Sequence, residues 1–190
     1  TSLGGMVVEV NQPKLVSITL PTEYGTCYSL EELRAIRAFT KSKGLLLHID
    51  GARLVQAANY LKCDLHEITG KLGVDAVSFG GTKNGLMFGE AVVVFTKEAK
   101  EKLKYLRKQN MQLPSKTRFI GAQFEALLGG SQVWREVTAH THELALRLRD
   151  GLLKVPQIKV TQKVEANSVF ALVPKEWVKT LREHYFFYVW

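Results

Sequence analysis

Residues 44–53, GLLLHIDGAR, decide the fold of this chain. A glycine ends the preceding helical pattern and leads directly into a nearly continuous apolar run, residues 45–50. Such a run is typical of a strand buried on both faces of a parallel sheet, whereas a half-exposed strand alternates apolar and polar residues. The stretch therefore predicts an interior strand that ends at Asp50 and is followed by a turn carrying Arg53.

Strand and helix patterns alternate on both sides of this run. Before it, residues 15–20 are rich in β-branched residues, and Ser29 with Glu32 forms a capping box that opens a helix. After it come a second helical pattern and two further strand patterns, residues 74–79 and 90–95. This order predicts an α/β fold with a mostly parallel sheet covered by helices.

The second half of the chain has a different pattern. Residues 115–129 and 131–154 are two long helical stretches, and short strand patterns and a short helix follow them. We therefore predict three parts: an α/β domain over residues 1–113, connecting helices over 114–154, and the start of a smaller α+β domain over 155–190.

The composition excludes several classes of protein. With 190 residues, 46% of them hydrophobic and 23% charged, the chain is typical of a globular protein. No apolar run approaches the ~18 residues that a membrane span needs, and the first five residues lack the order of a secretion signal. We expect Cys27 and Cys63 to be free thiols, since nothing indicates an oxidising compartment. These features predict a cytoplasmic protein that binds no membrane.

The net charge of +8 has the sign that nucleic-acid-binding proteins carry. About half of the excess lies in residues 97–108, where Ala99, Leu103 and Leu106 recur at helical spacing. The basic residues are not interleaved with a pattern of aromatic residues and carry no known binding motif, so a solvated helix face is favoured over a nucleic-acid footprint. A basic binding module without catalysis is kept as an alternative, and it predicts salt-sensitive binding.

Two strand ends carry residues suited to chemistry. Asp50 and Arg53 follow the first buried strand, and Lys83 lies among glycines in residues 78–85, SFGGTKNG. The lysine loop is not a P-loop, because the Walker spacing is absent and a strand pattern follows it. Ligands of parallel α/β sheets bind beyond the carboxyl ends of the strands, so both segments are candidates for one site.

A lysine, an acid and an arginine in these places suit pyridoxal 5′-phosphate. If packing and glycines hold Lys83, burial lowers the pKa of its amine and makes it nucleophilic toward a carbonyl. Asp50 can keep the pyridine nitrogen protonated, and Arg53 can lie against the ring hydroxyl. The alternatives without a catalytic function are that Asp50 is a helix N-cap and that Lys83 is an exposed loop lysine.

His48 alternates with Asp50 along the same strand. It can therefore approach the same cavity, or it can be a hydrogen-bonded core histidine. These two residues come with no third ligand at a recognisable spacing, so no metal site is predicted.

Taken together, residues 48–53 and 78–85 resemble the threonine aldolase family, in the β-eliminating lyase group of fold-type-I pyridoxal phosphate enzymes. The resemblance also extends to residues 22–26, 90–93 and 112–120. It implies a fold-type-I architecture, in which residues 1–113 are the C-terminal half of the large cofactor-binding domain.

The resemblance also implies a role for each site residue. Lys83 matches the lysine that forms the Schiff base with the cofactor, Asp50 the acid at the pyridine nitrogen, and Arg53 the arginine beside the cofactor oxygen. Thr82 matches a hydroxyl residue near the phosphate. Family members extend further at both ends, so the phosphate-binding loop and the substrate-carboxylate arginine are expected outside this chain.

The activity implied is cleavage of L-threonine or L-allo-threonine to glycine and acetaldehyde, in a homodimer or homotetramer with shared active sites. The alternative is a related pyridoxal phosphate-dependent β-eliminating amino-acid lyase. Lys83, Asp50 and Arg53 would serve both reactions, so these residues do not discriminate between them.

Overall fold

A four-stranded sheet forms the centre of the computed structural model, which describes residues 12–190. Its strands, in spatial order, are β1 (Leu15–Thr19), β2 (Leu46–Gly51), β3 (Ala76–Gly80) and β4 (Glu90–Val94). The first three are parallel and β4 is antiparallel to β3. The predicted α/β class with a mostly parallel sheet is confirmed.

Six α-helices accompany the sheet within residues 12–190. They are α1 (Leu30–Ser42), α2 (Leu54–Tyr60), α3 (Lys97–Gln109), α4 (Arg118–Leu128), α5 (Val133–Leu152) and α6 (Lys175–His184). A second, two-stranded antiparallel sheet pairs β5 (Lys159–Val160) with β6 (Ala171–Leu172). Within residues 12–190, no helix is both long and apolar enough to cross a membrane. The three-part division at residues 113 and 154 stays a prediction, and its first eleven residues lie outside the described part of the chain.

The predicted capping box is present at the start of α1. Ser29 Oγ accepts a hydrogen bond from Glu32 N at 3.2 Å, and Glu32 Oε2 accepts one from Ser29 N at 2.7 Å. This second hydrogen bond lowers the pKa of the Glu32 carboxyl group. The helix therefore begins where two local side chains satisfy its first free amides.

Strand β2 is held at its start as well as by its neighbours in the sheet. Its residues Leu47 and Ile49 are completely buried. Asp75, just before β3, accepts hydrogen bonds from Leu47 N at 2.8 Å and from the Arg37 guanidinium of α1 at 3.1 Å. One carboxylate thus links α1, β2 and the approach to β3.

The second half packs differently from its sequence pattern. The helical spacing of Leu144 and Leu148 predicts that both lie on the packed face of α5, but both are exposed. The buried residues of α5 are Trp134, Thr138 and Ala145. Thr138 and Ala145 are small, so α5 can lie close against α2. Helix α3 forms as predicted, but none of its residues is buried. Periodicity located these helices without identifying the face that packs.

Glu165 connects three distant parts of the described chain. Glu165 is 9% exposed, and its carboxylate accepts hydrogen bonds from Cys27 N at 2.8 Å and from the Tyr60 hydroxyl at 2.9 Å. Burial, and secondarily the charge of Glu165, raises the pKa of the Cys27 thiol to about 12. Cys27 and Cys63 are both free, as predicted, and burial also raises the pKa of Cys63.

Replacing Glu165 is expected to destabilise the full-length protein. Glu165→Ala leaves the Cys27 amide and the Tyr60 hydroxyl without their acceptor, which lowers the free energy of unfolding by about 2 kcal/mol. Chemical denaturation measures this loss. Glu183→Ala, which removes an exposed glutamate of α6, is the matched control and should unfold like the wild type. Equal midpoints for Glu165→Ala and the wild type would contradict the role of Glu165.

Candidate active site

Asp50 lies at the carboxyl end of β2, where the sequence placed it. Its Oδ1 atom accepts a hydrogen bond from Ala52 N at 3.0 Å, which turns the chain immediately after the strand. Helix α2 begins at Leu54, and its N-cap residue is Arg53, whose side chain makes no capping hydrogen bond. Asp50 is therefore not the helix N-cap. Within the described residues no hydrogen bond reaches its Oδ2 atom, which leaves one carboxylate oxygen open.

Lys83 is the middle residue of a single 3₁₀ turn, Thr82–Asn84, at the carboxyl end of β3. Gly85 follows with φ 114°, a conformation that favours glycine, and the chain then enters β4. A strand follows the lysine, as predicted, so the loop is not a P-loop. The expected packing around Lys83 is absent from the described chain, where its side chain is exposed. In a 3₁₀ turn neighbouring residues point in different directions, and here the buried one is Asn84.

Asn84 joins the two candidate segments. It is only 2% exposed, and its Nδ2 atom donates to Gly80 O at 2.7 Å and to Ala52 O at 3.1 Å. The first contact closes the lysine turn on its own strand, and the second ties that turn to the one after Asp50. Sequence reasoning missed this residue, although an Asn-Gly pair after a strand is a turn signal.

Glycine at position 80 allows this close approach. A Cβ atom there would collide with the carbonyl oxygen of Ala52, a backbone atom that cannot move aside alone. Gly81 is similarly close to Gly89, the residue before β4, because a Cβ atom added at position 81 would lie 2.5 Å from Gly89 O. Both glycines therefore serve backbone packing in the site.

The start of the lysine turn is anchored to the start of β4. The amides of Gly81 and Thr82 both donate to Gly89 O at 3.1 Å, and they also approach the Glu90 carboxylate at 3.2 and 3.3 Å. Thr82 Oγ1 accepts from Gly89 N at 3.0 Å. The Thr82 hydroxyl thus holds the loop together in this chain. Glu90 is a second site residue that the sequence analysis did not single out.

His48 is hydrogen-bonded at both ring nitrogens. Its Nδ1 atom lies 2.7 Å from Ser17 Oγ of β1, and its Nε2 atom lies 2.9 Å from Ser78 Oγ of β3. Two positions further along β2, Asp50 points to the same face of the sheet. His48 therefore lies in the row next to Asp50. No group of three or more His, Cys, Asp or Glu suited to a metal ion occurs within residues 12–190.

The groups at this sheet edge fit pyridoxal phosphate chemically. Asp50 has an open carboxylate oxygen for a protonated ring nitrogen, and Lys83 has an exposed amine for an aldehyde. Arg53 is half-buried in the same turn as Asp50, and no hydrogen bond reaches its guanidinium within the described part of the chain. A carboxylate, an amine and a guanidinium without competing partners are the donor set that such a group needs.

Comparison with known proteins identifies the family. The family model described as "Beta-eliminating lyase" matches residues 6–176. The chain belongs to the β-eliminating lyase family. Two curated relatives carry the name "Low specificity L-threonine aldolase". The one from Pseudomonas sp. is 40% identical to this chain over 171 residues, and the one from Pseudomonas aeruginosa is 39% identical over 171 residues. Each alignment covers 90% of this chain and 49% of the relative.

A solved structure agrees with this family assignment. The structure of Leishmania major threonine aldolase is 34% identical, has a TM-score of 0.83, and is matched over 90% of this chain and 50% of its own. The expected fold-type-I architecture is confirmed. The chain spans about half the length of the relatives it matches.

Adding one methyl group at position 80 is expected to disrupt the site. Gly80→Ala forces the two turns apart and lowers the free energy of unfolding by about 3 kcal/mol. Thermal unfolding of the full-length protein measures the loss. Gly121→Ala is the matched control, because nothing lies within 4 Å of that Cβ in α4 and alanine favours a helix. A Gly80→Ala melting temperature at or above that of Gly121→Ala would refute the close approach.

Proposed function

We propose that this chain carries the lysine, acid and arginine of a pyridoxal phosphate-dependent lyase that cleaves L-threonine or L-allo-threonine to glycine and acetaldehyde. The observation that carries the proposal is the Asn84 side chain, which ties the turn of Lys83 to the turn of Asp50 and Arg53. The Pseudomonas relatives named low specificity L-threonine aldolases support this substrate class.

Each of the three residues has a defined task. Lys83 would hold the cofactor through its amine, which is a nucleophile toward an aldehyde. Asp50 would hold a protonated ring nitrogen through its open Oδ2 atom. Arg53 would supply a permanent cation for a ring oxygen. When bound, pyridoxal phosphate supplies an electron-poor ring that accepts the electron pair of the broken Cα–Cβ bond.

The framework residues keep these groups in place without taking part in the chemistry. Asn84 is buried and donates both amide hydrogens to backbone carbonyl oxygens. Thr82 and Glu90 fix the start of the lysine turn, since both hold its amides or its neighbour Gly89. The backbone of Lys83 therefore lies in a fixed turn, and the side chain that carries the amine is exposed.

A second candidate is a lyase that expels a leaving group from the side chain of an amino acid. The description of the family, "Beta-eliminating lyase", supports this second reaction, and Lys83, Asp50 and Arg53 would have the same roles in it. For either reaction we infer a small-molecule amino-acid substrate and a cytoplasmic homodimer or homotetramer with shared active sites.

Reduction of the full-length protein with borohydride in the presence of pyridoxal phosphate tests the role of Lys83. We expect a stable phosphopyridoxyl group on the peptide that contains Lys83, and its loss together with turnover in Lys83→Ala. Lys97→Ala, at the start of exposed helix α3, is the matched control and should label like the wild type. Label on another lysine would reject Lys83, and no label at all would favour the basic binding module.

Product analysis with threonine separates the two lyase reactions. Acetaldehyde with an equal amount of glycine is expected, because breaking the Cα–Cβ bond leaves both fragments. Ammonia and a keto acid without glycine would instead establish elimination. The wild type and Lys83→Ala are compared in the same assay, so that background breakdown is subtracted.

Changing Asn84 to aspartate is expected to weaken cofactor binding. Asn84→Asp keeps the shape of the side chain but turns its donors into acceptors that face two carbonyl oxygens, so the affinity for pyridoxal phosphate should fall by about tenfold or more. Absorbance titration of the full-length protein measures the dissociation constant. Asn167→Asp makes the same change at an exposed position and is expected to bind normally. Normal binding by Asn84→Asp would show that the tie between the turns is dispensable.

A further inference from the structure

A row of three polar side chains crosses the parallel part of the sheet beside Asp50. Ser17 on β1, His48 on β2 and Ser78 on β3 are linked by contacts of 2.7 Å at Nδ1 and 2.9 Å at Nε2 of the histidine. We call these three residues the Ser–His–Ser row. Each hydroxyl meets a different ring nitrogen, so the row runs without a break across three adjacent strands.

The row reaches the level of Asp50 at one end only. Ser17 is the register partner of His48, whereas Ser78 is the register partner of Asp50. Adjacent strands lie about 4.8 Å apart, and paired residues present their side chains on the same face. His48 therefore contacts Ser78 diagonally, and Ser78 is level with Asp50 on the same face of the sheet.

The position of one proton decides what Ser78 can offer to Asp50. A neutral imidazole carries a single N–H. If that proton is on Nε2, His48 donates to Ser78 Oγ, Ser17 donates to Nδ1, and the Ser78 proton is left for the carboxylate. If the proton is on Nδ1, His48 donates to Ser17 and Nε2 takes the Ser78 proton instead.

We propose that His48 is a positioning residue which carries its proton on Nε2 and so directs the Ser78 hydroxyl at the Asp50 carboxylate. Within residues 12–190 the Asp50 carboxylate accepts one hydrogen bond, from the Ala52 amide at Oδ1, and a second donor, the Ser78 hydroxyl, would hold the carboxylate at two points. The role of Asp50 rests on the proposed function. The position of the proton on His48 does not, because it concerns contacts of the sheet alone.

The proton position is measured directly in the cofactor-free, full-length protein. Solid-state ¹⁵N NMR with labelled histidine distinguishes a protonated ring nitrogen from an unprotonated one, and the His48 signals are assigned by their loss in His48→Gln. We expect Nε2 to carry the proton in the wild type. A predominant Nδ1–H form would overturn the proposal, because the Ser78 proton would then be used by His48.

Cofactor affinity tests the consequence of the row. Ser78→Ala is expected to raise the dissociation constant for pyridoxal phosphate about tenfold, the effect of one charge-assisted hydrogen bond. Ser78→Thr keeps the hydroxyl and should restore binding to within about twofold of the wild type. Ser42→Ala removes an exposed hydroxyl at the end of α1 and is the matched control.

The outcomes separate the two proposals. If the wild type binds pyridoxal phosphate but Ser78→Ala binds equally well, the positioning role fails while the proposed function stands. If Ser78→Ala and Ser78→Thr are equally weak, the row has only a packing role and the proposal fails. If the wild type binds no pyridoxal phosphate, the proposed function fails and the positioning role fails with it.

Discussion

The hydrogen bonds donated by Asn84 are the interaction on which the rest of the site depends. A strand that ends at a sheet edge leaves carbonyl oxygens without partners, and two adjacent strand ends leave two such sets. One buried amide satisfies a carbonyl from each, Gly80 O and Ala52 O, at 2.7 and 3.1 Å. Because glycine at position 80 lets the backbones approach, Asp50 and Lys83 are held on neighbouring turns by a contact that involves neither of them.

The sheet beneath these turns determines where each functional residue emerges. Asp75 binds the backbone of β2 and the guanidinium of Arg37, so the register of β2 is set from its start. Since side chains alternate along a strand, that register puts His48 and Asp50 on the same face. A slip of one residue would turn Asp50 to the opposite face and would break both contacts of His48.

Local signals predicted the parts of the molecule that local interactions build. The capping box at Ser29, the strand ending at Asp50 and the lysine turn are encoded within a few residues each, and the structure has them where the sequence indicated. The Asn84–Ala52 and Glu165–Cys27 contacts could not be predicted in this way, because they join residues 32 and 138 positions apart. The glycine neighbours of Lys83 predict its burial, but Gly80 serves the contact with Ala52 and Gly81 the contact with Gly89, and the lysine is exposed.

The residues that hold the two turns differ from the residues that we propose take part in the reaction. The Asn84 Nδ2 atom, the Thr82 hydroxyl and the Glu90 carboxylate form hydrogen bonds with the backbone, and these contacts hold the turn in place. Lys83 and the Oδ2 atom of Asp50 have no such partners within residues 12–190, in contrast to Arg37, whose charge is neutralised by Asp75. A reactive group that is already paired must break that pairing before it can bind a ligand, whereas an unpaired group on a rigid turn loses little entropy when the ligand arrives. The conformational entropy of the turns is therefore lost when the chain folds, and less of it remains to be lost when a ligand binds.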